Sequence, residues 1–298
     1  MPVEQTKFER GMGDGIRVHV LPTDRFKTFA ISIYIGQPLR EDTVTLNALT
    51  PFVLRRGTAS FPETIRFRER LDDLYGAGFG FDIYKRGDYQ IVQFRMDVIH
   101  DEFVKENGSL LEQSLAFLGE TLTKPALENG RFLAKYVSSE KVTLQKRLES
   151  IINDKIRYAA ERCIEEMCKD EPYRLHPLGK IEAIEPIDAE QLYHSYLRWL
   201  NESPIDIYVV GNTTFEEVSR FIRQSFDLNP SQRFAYQKTV ANRPVREVKR
   251  VVERMEVGQG KLNMGLRTHV AYADDQYPAM LMYNGILGGY PHSKLFVN

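Results

Sequence analysis

Cysteine is nearly missing from this 298-residue chain: only Cys163 and Cys168 occur, five apart, with no neighbouring Cys or His to complete a metal set. That spacing puts the two thiols on different faces of a helix, so they read as reduced side chains and exclude a disulfide framework. A surplus of either charge is missing too. The 40 Lys and Arg stand against 41 Asp and Glu, and a net charge of -1 excludes recruitment of nucleic acid or an anionic membrane by bulk charge. No apolar run approaches the roughly 18 residues of a membrane span, and Met1 to Arg10 hold no apolar core of the signal-peptide kind. A cytoplasmic protein is expected. Gly-x-Ser-x-Gly, a Walker loop and Gly-x-Gly-x-x-Gly after a strand are absent as well. The six histidines are scattered. His176 and His194 have Glu165, Glu166 and Glu182 in their vicinity, but no pair has helical ligand spacing, so surface or satisfied side chains are expected.

What is present is an alternation of strands and helices. Ile16 to Leu21 and Phe29 to Ile35 have the length and β-branched content of strands. Two more follow around Gly78 to Tyr84 and Tyr89 to Val98, joined by the turn signal Lys85-Arg86-Gly87-Asp88. Helices are predicted at about 43 to 56, 62 to 75 and 109 to 123, then a long charged periodic region from about 128 to 168. Ile205 to Asn212 reads as a buried strand, with Thr213 or Thr214 capping the next helix. The expected class is α+β, with helices packed on one face of a mainly antiparallel sheet.

A polar stretch from about Asn229 to Pro244 follows, and the chain then repeats its beginning. Lys261 to Arg267 corresponds to the strand at Thr28 to Tyr34, Asp274-Asp275 to Glu41-Asp42, and Gly288-Gly289 falls near Gly57. The expected organisation is a first domain over 1–230, a linker over 231–247, and the start of a second homologous domain over 248–298. The second copy is read as truncated.

One stretch carries the functional argument: Ala48-Leu49-Thr50-Pro51-Phe52-Val53-Leu54-Arg55-Arg56-Gly57-Thr58. Its setting, a strand and an acidic loop before it and Gly-Thr at its end, resembles the zinc helix of the insulinase, pitrilysin and mitochondrial processing peptidase family. In that family the helix carries His-x-x-Glu-His. Counting back from Gly57-Thr58, the histidines fall on Ala48 and Phe52 and the glutamate on Pro51. Histidines four apart share a helix face and can reach one zinc ion while the glutamate activates its water. Alanine and phenylalanine offer no lone pair, and proline has neither a base nor an N–H. Thr50-Pro51 reads instead as an N-cap followed by a first-turn proline, predicting a late start or a kink. The family's third ligand is a glutamate on a later helix. The matching stretch, Glu140 to Leu148, puts Arg147 there, and even if Glu149 were the equivalent, one carboxylate would not make a site. Arg55-Arg56 reads as a pair of solvated cations at a helix end, against the alternative of a contact with an acidic partner or substrate.

The resemblance extends over the chain. Leu74 to Phe81 is similar to the family's Gly-rich entry to its hairpin, Tyr173 to Gly179 to its His-Pro-x-Gly region, and Ile286 to Phe296 to its Leu-Gly-Gly-x-x-Ser-x-Leu-Phe. It implies a zinc-motif-deficient bacterial member of a heterodimeric pair, without catalytic activity or zinc of its own. The implied role is to bind peptide or to regulate an active zinc-peptidase sister, with a peptide or protein as the substrate and no nucleic acid or membrane as partner. The family binds a peptide as an added strand on a sheet edge. Gly78, Phe79, Gly80 and Phe81 are the candidates for that edge, against the plainer reading of a hairpin with core aromatics. The alternative function is a zinc-dependent endopeptidase using unrecognised ligands.

Overall fold

The computed structural model describes residues 7–13, 15–105, 108–228, 233–239, 245 and 247–297. Two compact units divide the chain, Met1–Gln237 and Lys238–Asn298. The first unit opens with β1 (Glu9–Gly13), β2 (Ile16–Pro22) and β3 (Thr28–Pro38), followed by helices α1 (Val44–Leu54) and α2 (Thr64–Asp73). The hairpin β4 (Gly78–Arg86) and β5 (Tyr89–Ile99) leads to α3 (Leu110–Thr123), a two-residue ladder of β6 (Leu127–Glu128) and β7 (Arg131–Phe132), and helices α4 (Ala134–Asn153) and α5 (Lys155–Met167). Helix α6 (Ala189–Glu202), strand β8 (Ile205–Gly211) and helix α7 (Phe215–Ser225) complete it.

Six strands form one sheet in the order β1-β2-β8-β3-β5-β4. All neighbours are antiparallel except β2 and β8. Period-two alternation decides which face is covered. Ile16, Val18 and Val20 of β2, Phe29, Ile31, Ile33 and Ile35 of β3, and Ile205, Ile207 and Val209 of β8 are all buried in the helix-covered core. The opposite face carries polar and aromatic groups. Arg17 forks onto Asp206 at 2.7 and 2.6 Å, and His19 stacks on Tyr208 with ring centroids 4.2 Å apart. Phe234 and Tyr236, inside the expected linker, lie against Tyr89 at 6.3 and 4.9 Å, so that part of the segment is anchored to the first unit. Residues 229–232, 240–244 and 246 of the same segment lie outside the described residues.

Several local expectations need correction. Helix α1 runs unbroken through Pro51, and Thr50 does not cap it but donates its hydroxyl to the Leu46 carbonyl at 2.9 Å. An internal proline costs a helix about 3 kcal/mol. Every residue of α1 is buried, so the packing of its apolar side chains, among them Leu46, Leu49, Phe52, Val53 and Leu54, outweighs that cost. The long helical region starts at Ala134, because Asn129 and Gly130, with φ of 53° and 73°, make the tight turn of the β6–β7 ladder. It then breaks at Asp154, whose carboxylate accepts from the N–H groups of Ile156 and Arg157 and so starts α5. Strand β1 was not foreseen. Thr214 does cap α7, in a capping box with Glu217.

In the second unit, the strand expected at Lys261 to Arg267 does not form, and there is no strand among the described residues 247–297. A strand needs a neighbour for its N–H and C=O groups, and this unit's described residues offer none. Leu262, Met264 and Leu266 are exposed. The unit holds α8 (Tyr277–Asn284), a π-helical turn at Gly285–Gly289 and α9 (Lys294–Val297).

Candidate functional site

Helix α1 is positioned at its start by the segment before α6. The Gln90 side chain donates to the carbonyls of Val44 and Pro177, at 2.9 and 2.6 Å. Gly179, at φ 79°, lies so close to Thr45 that a Cβ would overlap the threonine hydroxyl. Only glycine combines that backbone with that approach. In the acidic loop, Glu41 pairs with Lys180 and with Arg174 at 2.9 Å, which holds its carboxyl below the usual range. The His176-Pro177-Leu178-Gly179 turn therefore clamps the first turn of α1.

One turn further along α1, the structure brings two of the sequence-selected positions, Phe52 and Arg147, together. Ala48 and Phe52 are buried, and the Phe52 ring meets Phe81 of β4 edge-on at 4.8 Å. The Arg147 guanidinium, from α4, stands 5.9 Å from the centre of the Phe52 ring. Arg55 stands 5.5 Å from that ring and 5.4 Å from Phe81. Arg147, which the resemblance puts at the third-ligand position, thus lies over the ring of Phe52, which it puts at the second histidine position. The donor set does not fit zinc: a methyl, a phenyl ring and a guanidinium supply no lone pair to a metal, and Pro51 supplies no base. No group of three or more His, Cys, Asp or Glu that could hold a metal ion occurs among the described residues.

Glu140 is the residue of this centre whose role the sequence did not disclose. Its side chain is completely buried, bonded by Arg56 Nε at Oε1, with Arg55 Nη2 3.6 Å from Oε2. Arg56 also donates to Ser139 Oγ at 2.9 Å. The two arginines are therefore not simply solvated: they neutralise a carboxylate that could not otherwise be buried. The available signal was spacing. Glu140, Leu144 and Arg147 recur at helical intervals on the face of α4 that meets α1.

Among the described residues, strand β4 is the last strand of the sheet beside this centre, paired on one side only, with β5. Phe79 packs against Phe67 and Phe117 with centroids 5.4 and 6.1 Å apart, and Phe81 against Phe52, so both aromatics face the core side. Gly78 and Gly80 alternate to the other face. A Cβ at Gly80 would meet nothing within 4 Å, and its φ is not positive, so the fold itself does not require glycine there.

Further along β4, Lys85 donates to the carbonyls of Tyr173 and Leu175 at 2.7 and 3.2 Å and lies 4.2 Å above the Tyr173 ring. Burial lowers its pKa. His176 accepts the Leu178 N–H at Nδ1, which leaves the ring proton on Nε2, 4.0 Å from Glu161. Burial, then the cations Lys85, Arg157 and Arg147, push its pKa down to about 4. His194 lies instead at 3.9 Å from Glu190 on α6, and is mostly exposed.

Comparison with known proteins agrees with this geometry. Residues 186–298 match the model of the peptidase M16 inactive domain. Over 296 residues the chain is 38% identical to the "probable inactive metalloprotease YmfF" of Bacillus subtilis (strain 168), covering 99% of this chain and 68% of that protein. A solved structure of a conserved protein from Enterococcus faecalis V583 is similar at a TM-score of 0.88 and 29% identity, over 98% of this chain and 69% of that one. The peptidase M16 inactive domain from Pseudomonas fluorescens is similar at 0.61 and 18%, over 76% and 52% of the two chains, a likeness of fold alone.

Proposed function

The chain belongs to the M16 peptidase family, and from that premise we propose that it is a non-catalytic, peptide-binding or regulatory subunit. It holds an extended peptide along β4 and works beside an active zinc-peptidase homologue, as a cytoplasmic heterodimer. The observation that carries the reading is the replaced metal centre: Phe52 fills the place of a ligand, and Arg147, at the third-ligand position, lies over its ring. A site that places a cation where the family places a ligand for one cannot activate water through zinc.

Peptide holding survives the loss of chemistry, because strand addition draws its affinity from backbone hydrogen bonds. The unladdered edge of β4 supports this, and so does Gly80, a glycine that neither φ nor a neighbour demands. A residue without a side chain lets another backbone approach closely. Residues Gly78 to Phe81 accordingly remain the proposed contact. We propose as well that the second unit begins a second homologous domain, with 231–247 as the linker; the division between compact units, after Gln237, falls inside that segment.

Zinc content tests the core of the reading. The untagged chain, purified with zinc present, is expected to carry close to none by elemental analysis, to leave an unstructured protein substrate uncut, and to co-purify with a homologue that keeps His-x-x-Glu-His. One tightly held zinc per chain would overturn it.

A further inference from the structure

We infer that the replaced metal centre has become an anion site, and that it takes a carboxylate side chain of a peptide laid along β4. This deepens the proposed function and rests on its reading of β4 as the peptide edge.

The first observation is charge. Arg55 and Arg147 both bear on the Phe52 ring, and Arg55 bears on Phe81 of β4 as well. Arg147 and Arg157 both act on His176, as does Lys85. Glu140 is already bonded by Arg56 with Arg55 beside it, and Glu161 sits by His176. Arg147 is exposed and has no carboxylate partner among the described residues. Contact with a ring face uses at most part of the five-donor guanidinium fork, so the rest is left to water or to a ligand, and the ligand that matches the fork is a carboxylate. The centre that holds a divalent cation in zinc peptidases of the family therefore carries a field of the opposite sign here.

The second observation is register. Phe79, Phe81 and Ile83 point to the helix side of β4, while Gly80 and Asp82 point away, where Asp82 pairs with Arg95. In an added strand, the residue opposite Phe81 points to the same side as Phe81. That side is where Arg55 and Arg147 stand. An acidic side chain at that one position, or two residues from it, reaches the cations, whereas one at the intervening positions faces Gly80 and the Asp82–Arg95 pair and gains nothing. The ligand class is an extended peptide with acidic residues on one face.

The test is selection of capped, random ten-residue peptides on the full chain, followed by affinity measurement on the enriched sequences. Supporting results are enrichment of Glu or Asp at one position or at positions two apart, and a loss of about tenfold on changing that Glu to Gln, the size of one charge-assisted pair at a partly exposed site. Arg147→Glu should then reverse the preference, so that a peptide with Lys in place of the Glu binds better than the parent. A purely structural role for Arg147 would not produce that exchange. Arg55→Gln offers the same loss at a second exposed side chain, with circular dichroism confirming the fold of both variants. Enriched peptides without acidic preference would overturn the anion site and leave the peptide edge standing. No enrichment of any peptide would overturn both.

Discussion

Replacing Arg56 by methionine probes the buried carboxylate on which the altered centre is built. Glu140 has no exposed side-chain surface, and among the described residues its hydrogen bond at this centre comes from Arg56 Nε; Arg55 Nη2, at 3.6 Å, contributes an ion contact only. Methionine keeps the apolar stem of Arg56 and removes the charge. Breaking a buried pair at one partner costs roughly 3 to 5 kcal/mol. Here the Arg56 side chain is 27% exposed and Arg55 stays close, so the expected loss is about 2 to 3 kcal/mol. The reverse change is asymmetric. Glu140→Met removes the buried charge and lets Arg56 turn to water, so it should cost about 1 kcal/mol or less, and the double variant should resemble it. Urea denaturation followed by circular dichroism, with the transition of the first unit as readout, measures all three. An Arg56→Met variant within 0.5 kcal/mol of the parent, the usual range of an ordinary surface change, would refute the argument that Glu140 depends on it.

Other outcomes follow from the same geometry. Ala48→His, Phe52→His and Arg147→Glu introduced together should retain about one zinc per chain after dialysis, while each alone retains none, because positions 48 and 52 lie four apart on α1 and Arg147 of α4 lies over the Phe52 ring. Gly179→Ala should destabilise by roughly 2 kcal/mol or more, from positive φ and overlap with Thr45, whereas Gly80→Ala should stay within about 0.5 kcal/mol and weaken peptide binding instead. His176, with its folded pKa lowered to about 4, binds its proton less readily folded than unfolded. Stability should therefore fall as pH drops from about 6.5 to about 4, by up to about 3 kcal/mol, and His176→Asn should flatten that part of the urea-midpoint profile.

What could be read in advance was whatever local periodicity controls. The strands β2, β3 and β8 carry β-branched residues at every second position, and Thr214 with Glu217 forms a capping box, so neither needed tertiary information. What could not be read depended on distant partners. Pro51 stays helical because the whole of α1 is enclosed. Strand β1 contains Gly11 and Gly13, which no propensity favours. It forms because β2 offers a ladder and because Gly11 leaves room for the Phe215 ring. At the site, the loss of ligands was legible at Ala48, Pro51, Phe52 and Arg147. The arginine-bound Glu140 was not: its spacing from Leu144 puts it on the apolar face of α4, but only the partners Arg55 and Arg56 on the segment after α1 make a buried carboxylate of it. The failed strand at Lys261 to Arg267 makes the same point from the other side: pattern permits a strand, but a neighbouring strand makes one.

The position of β8 bears on how the molecule is born. This strand sits between β2 and β3, yet it is encoded by residues 205–211, long after both neighbours. As the chain leaves the ribosome, β1 can pair with β2, β4 with β5, and β5 with β3, because the first two ladders are hairpins and β5 is made well before β8. Two half-sheets must then wait, each with an open apolar edge that invites pairing with a stranger. Arrival of β8 closes both edges at once, so the wait set by synthesis of the intervening helices is the interval in which a nascent chain is exposed to aggregation and to chaperones.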